Sequence, residues 1–273
     1  MAFDASGESG FQDWVGDVPH FPQSQAREAE AKKKLVVALD KPTVDEARKL
    51  IKRLAGNAGV FKIGLELVMS EGGLKLARDL RADGHEVFLD MKLLDIGNTI
   101  KKAVANVARS KFNFLTVHGK NRKALDAAVA GRLQALDDGA PDTLKLLAVT
   151  VLTDQSQDDL LEEGLAGWSP LDLAVHRAKM ADAAGFDGVI ASGREAEAIR
   201  AATRKGFIIK VPGVRPVGYA AEGQTRSVTP AEAIKAGADY VVVGRPIYNA
   251  EHPADVAKQI IDEIAQALAD NRF

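Results

Sequence analysis

The sequence predicts an α/β protein, a closed (β/α)8 barrel forming a single domain behind an N-terminal extension. Three observations predict it. From Leu35 onward, eight short runs rich in β-formers alternate with eight amphipathic helical stretches. Gly84, Gly185, Gly206 and Gly237 stand where helices should end, the position at which glycine accepts a left-handed backbone. No Gly-x-Gly-x-x-Gly follows the first strand, which disfavours an open doubly wound sheet. The 273 residues suit one TIM barrel, a fold that commonly takes about 250.

Taken in order, the apolar run 35–39 opens the barrel and the amphipathic stretch 44–53 returns the chain. The run 60–63 and the helix 73–82, closed by Gly84, make the second unit. Residues 85–90 form the third strand and 100–109 its helix, and 114–118 with 122–136 follow as the fourth unit. Strand 144–151 pairs with helix 170–184, closed by Gly185. Strand 188–191 precedes helix 195–202, and strand 207–211 precedes helix 230–236, which ends at Gly237. The all-apolar 240–243 and the long helix 254–269 complete the set. The barrel domain is therefore expected over 34–273. Residues 1–33 stand apart, with scattered Gly, Pro, Ser and Gln before a charged run from Arg27 to Lys34. They are expected to be partly ordered, with a short helix at 24–33 and with Phe11, Trp14 and Phe21 available to pack on the body or a partner.

Composition narrows the function. The chain is 46% hydrophobic and 27% charged, ordinary for a globular protein, and its net charge of −2 argues against a nucleic-acid or membrane-surface binder. With no cysteine, disulfides, thiolate nucleophiles and cysteine-held metals are excluded. No run of 18 apolar residues predicts a membrane span. The N-terminus does not read as a secretory signal, so a cytoplasmic location is expected.

Active sites of this barrel lie at the C-terminal ends of its strands. The polar residues there are Asp40, Lys62, Asp90, Lys92, His118, Thr150, Thr153 and Ser192, followed by the segments Pro212 to Pro216 and Gly244 to Pro246. Four alternating charges, Asp40, Lys62, Asp90 and Lys92, are expected to meet at the barrel mouth as a paired network, because unpaired charges there are expensive. The array Asp90-x-Lys92-x-x-Asp95 sets one cation among carboxylates, which holds a lysine protonated as a proton donor rather than a nucleophile. Asp90 and Lys92, two apart in a strand, should share a face, while Asp95 belongs to a loop. His118 alone reads as a hydrogen-bonded histidine, and no metal site is signalled. Loops after the last two strands often hold phosphate. Here they offer Gly244 and Arg245, with Arg215 and Gln224 in a segment, 213–228, long enough to close as a lid.

These segments resemble the orotidine 5′-phosphate decarboxylase family. The likeness rests on residues 36–40, 61–64 and 88–99, on 148–153, 187–189 and 212–216, on Gln224 with Arg226, and on 243–247. It runs from about residue 35 to 265. The string Asp90-x-Lys92-x-x-Asp95-Ile96-x-Asn98-Thr99 is its most specific part. Related phosphosugar decarboxylases and synthases share the first half but usually lack the Ile-x-Asn-Thr continuation. The chain departs from the usual pattern at Gly97, where proline is common, at 119–122, at Asp154 and at Glu222-Gly223.

The resemblance implies conversion of orotidine 5′-phosphate to UMP and CO2 in de novo pyrimidine biosynthesis, without a cofactor. It implies that Lys92 is the proton donor and that Asp40, Lys62 and Asp90 complete the charged network, with Asp40 and Lys62 near the ribose. Thr153 and Pro212 would contact the pyrimidine, and Arg215, Gln224, Gly244 and Arg245 the phosphate. It also implies a homodimer with shared active sites, Asp95, Ile96 and Thr99 reaching into the neighbouring subunit. Rival readings are a Mg2+-dependent phosphosugar enzyme on the same barrel and a silent phosphate-binding barrel.

Overall fold

A computed structural model describes residues 23–219 and 227–270. The chain begins with α1 (Gln23–Lys34), which runs directly into β1 (Leu35–Ala38), and continues through α2 (Val44–Arg53), β2 (Val60–Gly64), α3 (Leu65–Met69) and α4 (Gly73–Ala82). Then come β3 (Glu86–Leu93), α5 (Gly97–Arg109), β4 (Phe114–His118), α6 (Arg122–Asp137), β5 (Lys145–Val149), α7 (Gln157–Glu162) and α8 (Pro170–Ala184). The last third is β6 (Gly188–Ile190), α9 (Ala196–Ala202), β7 (Ile208–Pro212), α10 (Pro230–Lys235), β8 (Tyr240–Val243), α11 (Arg245–Tyr248) and α12 (Pro253–Asp270). All eight strands are parallel, each pairs with its sequence neighbour, and β8 closes on β1. The expected (β/α)8 barrel is borne out.

Two cores hold it. One lies between the strands and the surrounding helices and includes Val37, Leu89, Leu115, Leu146 and Ile260. The other fills the barrel interior with Val36, Val60, Phe88, Phe114, Leu147 and Val242. Alternate strand residues supply the two sides, as the pleat requires. Helices α5 and α6 approach closely at Gly131, where a Cβ would stand 2.2 Å from the Lys101 carbonyl oxygen. Helix α1 packs against α12, with Ala31 fully buried and Glu28 ion-paired to Lys258 at 3.2 Å. Phe11, Trp14 and Phe21 lie outside the described residues.

Two strands differ from expectation by more than one residue at an end. β5 stops at Val149 rather than 151, because the Thr150 carbonyl accepts the Arg177 guanidinium at 2.5 Å while the Thr150 hydroxyl donates to the Ile190 carbonyl. β3 runs on to Leu93 instead of ending at 90, and it does so through a bulge. From Leu89 to Leu93 it advances four residues while β4 advances two, from Leu115 to Val117. The short helices α3, α7 and α11 carry too few turns to show a period in the sequence.

Lys210 on β7 is the one lysine in the barrel interior that sequence reading passed over as part of an apolar run. Its side chain is fully buried and its Nζ has no hydrogen-bond partner among the described residues. The amine lies 3.1 Å from the Phe114 ring centre, 3.8 Å from Tyr240 and 5.1 Å from Phe88. Burial pushes its pKa well below the ordinary 10.5, against a weaker pull upward from Glu86 and Asp239. Between the folded and unfolded values the unfolded chain binds one more proton, so stability falls as pH drops below about 10, by at most about 1.4 kcal/mol per pH unit. Lys210→Met should therefore be more stable than wild type at neutral pH, with the gap widening from pH 10 down to pH 7. Urea midpoints measured across that range check it, and parallel curves contradict it.

Candidate active site

A cavity of about 320 Å³ opens at the C-terminal end of the barrel, within the size range of ligand pockets. Four of its charged lining residues come from three strands in succession. Asp40 follows β1, Lys62 points in from β2, and Asp90 and Lys92 come from β3. The four form an alternating chain. Lys62 Nζ lies 2.8 Å from Asp40 Oδ1 and 3.7 Å from Asp90 Oδ2, and Asp90 Oδ2 lies 2.7 Å from Lys92 Nζ. Burial works to raise the Asp90 carboxyl, but Lys62, Lys92 and hydrogen bonds from Lys92 and Thr116 outweigh it and hold Asp90 below its ordinary value.

Thr116, which sequence reading missed, sits on β4 beneath this pair. Its buried hydroxyl donates to Asp90 Oδ1 at 3.0 Å and accepts the Lys92 backbone N–H at 2.8 Å. Nothing in the sequence separates it from other inward strand threonines. Lys92 has φ of 47°, a left-handed conformation that costs a non-glycine residue on the order of 1 kcal/mol or more.

The cavity also has a purely cationic part. Arg215, buried after β7, and Arg245, which opens α11 after Gly244, both line it. Burial, and then the nearby Arg245, push the Arg215 guanidinium below its ordinary value. Among the described residues no carboxylate pairs with either guanidinium, so the two form a ready receptor for an anion. Gly244 permits a tight turn: a Cβ there would stand 3.3 Å from the Tyr248 ring and 3.6 Å from Asp40 Oδ2. The rest of the lining is Phe88, Val149, Val151, Leu152, Ile190 and Val242, with Thr153, Pro212 and Gly213.

The structure thus brings together nine of the expected residues: Asp40, Lys62, Asp90, Lys92, Thr153, Pro212, Arg215, Gly244 and Arg245. Asp95, Ile96 and Thr99 stand outside this cavity, exposed at the entry to α5. Gln224 lies outside the described residues, as does the middle of the expected lid, 220–226. Tyr248 lines the cavity without having been expected there, and Lys41 lies 4.6 Å above its ring. His118 ends β4 half-buried, its pKa lowered by burial and then by Lys120, Lys92 and Arg177.

Residues 33–260 match the model of the orotidine 5′-phosphate decarboxylase / HUMPS family. The chain belongs to that family. It is 46% identical over 238 residues to the orotidine 5′-phosphate decarboxylase of Nitrobacter winogradskyi, covering 87% of this chain and 95% of the relative. It is 46% identical over 235 residues to the enzyme so named from a Methylobacterium species, covering 86% and 96%. Among solved structures, orotidine 5′-phosphate decarboxylase from Lactobacillus acidophilus superposes with a TM-score of 0.72 at 31% identity, over 84% of this chain and 98% of that one. The resemblance read from the sequence is borne out, and the expectation of a carboxy-lyase with it. In this member of the orotidine 5′-phosphate decarboxylase / HUMPS family, α1 precedes nearly all of the matched region.

Because Lys62 serves two carboxylates, its loss leaves Asp90 buried with one cation. Lys62→Met should destabilise the fold by about 3 kcal/mol, the scale of breaking a buried pair. Urea unfolding at neutral pH checks this, and an unchanged midpoint would show that the pairs contribute nothing net.

Proposed function

We propose that this chain decarboxylates orotidine 5′-phosphate to UMP in de novo pyrimidine biosynthesis, with Lys92 as proton donor to C6 and no cofactor. The observation that carries the reading is the alternating chain ending in Lys92, sharing one cavity with a pair of arginines that have no carboxylate partner among the described residues. Family membership and the names of the relatives support it. So does the Ile96-x-Asn98-Thr99 continuation, which favours the nucleotide enzyme over phosphosugar enzymes of the same barrel.

In this reading the substrate phosphate sits on Arg215, Arg245 and the Gly244 turn, with Gln224 closing over it. The ribose meets Asp40 and Lys62, and the pyrimidine meets Thr153 and Pro212. The C6 carboxylate then faces Asp90, and like charges at close range raise the energy of the bound state. The bond from C6 to the carboxylate breaks, CO2 departs and the electron pair stays on C6. The Lys92 ammonium stabilises that pair as it forms, which is usually the largest catalytic contribution. It then transfers a proton to C6, giving UMP and a neutral amine that water reprotonates. The distant phosphate supplies binding energy that orders the site around the reacting carbon.

Asp95, Ile96 and Thr99 complete the neighbouring subunit's site in a homodimer. Ile96 is 72% exposed and Leu94 54%, apolar surface that a partner would cover. Residues 34–273 are the catalytic domain and 1–33 its extension, and the enzyme is cytoplasmic, acting on a small molecule without nucleic acid or membrane.

The direct test is the fall in ultraviolet absorbance when the protein meets orotidine 5′-phosphate, unchanged by EDTA; no turnover, or turnover abolished by EDTA, defeats the reading. Lys92→Ala should lose at least about a hundredfold in kcat while the circular dichroism spectrum persists. Arg245→Ala should raise KM roughly tenfold or more, the loss expected for a charged hydrogen bond. Random mixing of Lys92→Ala and Asp95→Ala subunits makes half the dimers mixed, each with one intact site of two. About a quarter of wild-type activity should return, and none returning would remove the shared site.

A further inference from the structure

Three described non-glycine residues have positive φ, and Lys92 differs in kind from the other two. Ala55 and Lys111 lie just past the ends of α2 and α5, where chains leaving a helix commonly turn left-handed. Lys92 lies inside a strand, at the bulge where β3 carries two residues more than β4. A bulge disrupts the ladder and leaves backbone groups to find other partners. The Lys92 N–H finds the Thr116 hydroxyl, and that same hydroxyl spends its own proton on Asp90 Oδ1.

We infer that Thr116 is a positioning residue for the reaction, its single hydroxyl fixing the bent backbone of Lys92 and the carboxylate of Asp90 together. This rests on the decarboxylase reading of the site. The geometry is specific. A hydroxyl is the smallest group that accepts from one partner while donating to another. Thr116 is fully buried, so no bulk water stands ready to replace it. Asp90 Oδ2 is committed to Lys92 and Lys62, so Oδ1 is the oxygen whose orientation Thr116 sets. Without that bond only Oδ2 of the carboxylate is held, and the left-handed turn at Lys92 loses the contact that offsets its strain. Both changes move the ammonium relative to the reacting carbon, and small misplacements of a catalytic group are costly.

Thr116→Val keeps the shape and removes the hydroxyl, whereas Thr116→Ser keeps the hydroxyl. Steady-state turnover of orotidine 5′-phosphate by the full chain should show kcat down about 10- to 100-fold in Thr116→Val, the worth of a hydrogen bond to a charged group, with KM nearly unchanged. The acid limb of its kcat profile should move to higher pH, since Asp90 has lost a donor, and Thr116→Ser should restore both. If Thr116→Val does not fold, Thr116→Ala takes its place under the same criteria. Wild-type kcat with an unmoved acid limb in the hydroxyl-free variant overturns the inference, as does a Thr116→Ser enzyme equally impaired. A measurement without substrate separates this from the decarboxylase reading. Hydrogen exchange at the Lys92 amide should be slow in wild type and faster in Thr116→Val; fast exchange in wild type overturns the positioning geometry. An inactive wild type with a protected amide defeats only the assigned reaction.

Discussion

The arrangement of the cavity depends on one constraint: the charges that β1, β2 and β3 bury at the barrel mouth alternate in sign. Lys62 and Asp90 have side chains only 11% and 12% exposed, and each touches two partners of opposite charge. Asp40 and Lys92, at the ends of the chain, have one partner each and are about a third exposed, so water supplies the remainder. Taking an ion out of water costs several kcal/mol, and only close opposite charges with good geometry offset it. The inner members therefore take two counter-charges and the outer members keep solvent. The outer cation is then the one with access to a ligand.

Holding that cation in place is a backbone problem as well as an electrostatic one. A regular strand would have ended its ladder with β4 in register. The bulge between Leu89 and Leu93 breaks the register, turns Lys92 left-handed and still leaves Leu93 paired with Val117. The chain resumes the sheet on the far side, so the distortion is confined between two anchored pairs. It then leaves the barrel through the exposed Asp95 to Thr99 turn into α5, whose close contact with α6 at Gly131 fixes the direction of exit.

Much of this was legible in the sequence. The strands showed because apolar β-rich runs recur between amphipathic helices, and the barrel mouth showed because Asp40, Lys62, Asp90 and Lys92 fall at the ends of those runs. Their pairing followed from cost alone. The bulge did not show, since a period of two in Phe88 to Lys92 reads the same whether or not the partner strand keeps step. Thr116 did not show because a hydroxyl in a strand carries no sign of what lies across from it on the neighbouring strand. Lys210 was hidden by its company: within the apolar run Phe207 to Val211 a single lysine does not show which way it points, and only the closed barrel places it inside. Helix α1 was expected from composition, but its seat against α12 was not, because that contact joins the two ends of the described chain.

Three lysines point into the same barrel, and their neighbours assign them opposite states. Lys62 and Lys92 reach the mouth, where carboxylates lie within 3 Å and the ammonium form is the one that bonds. Lys210 sits among Phe88, Phe114 and Tyr240 with no hydrogen-bond partner among the described residues. Aromatic faces attract a cation, by about 2 kcal/mol when desolvated, yet burying an unpaired ammonium costs more than a few such contacts return. The neutral amine is therefore the state that fits beneath the cavity. Phe88 belongs to both settings, lining the cavity and facing the Lys210 amine. An apolar ring thus separates a floor that holds no charge from a mouth that concentrates it, and the charged pairs above operate against a low-dielectric base that weakens neither of their attractions.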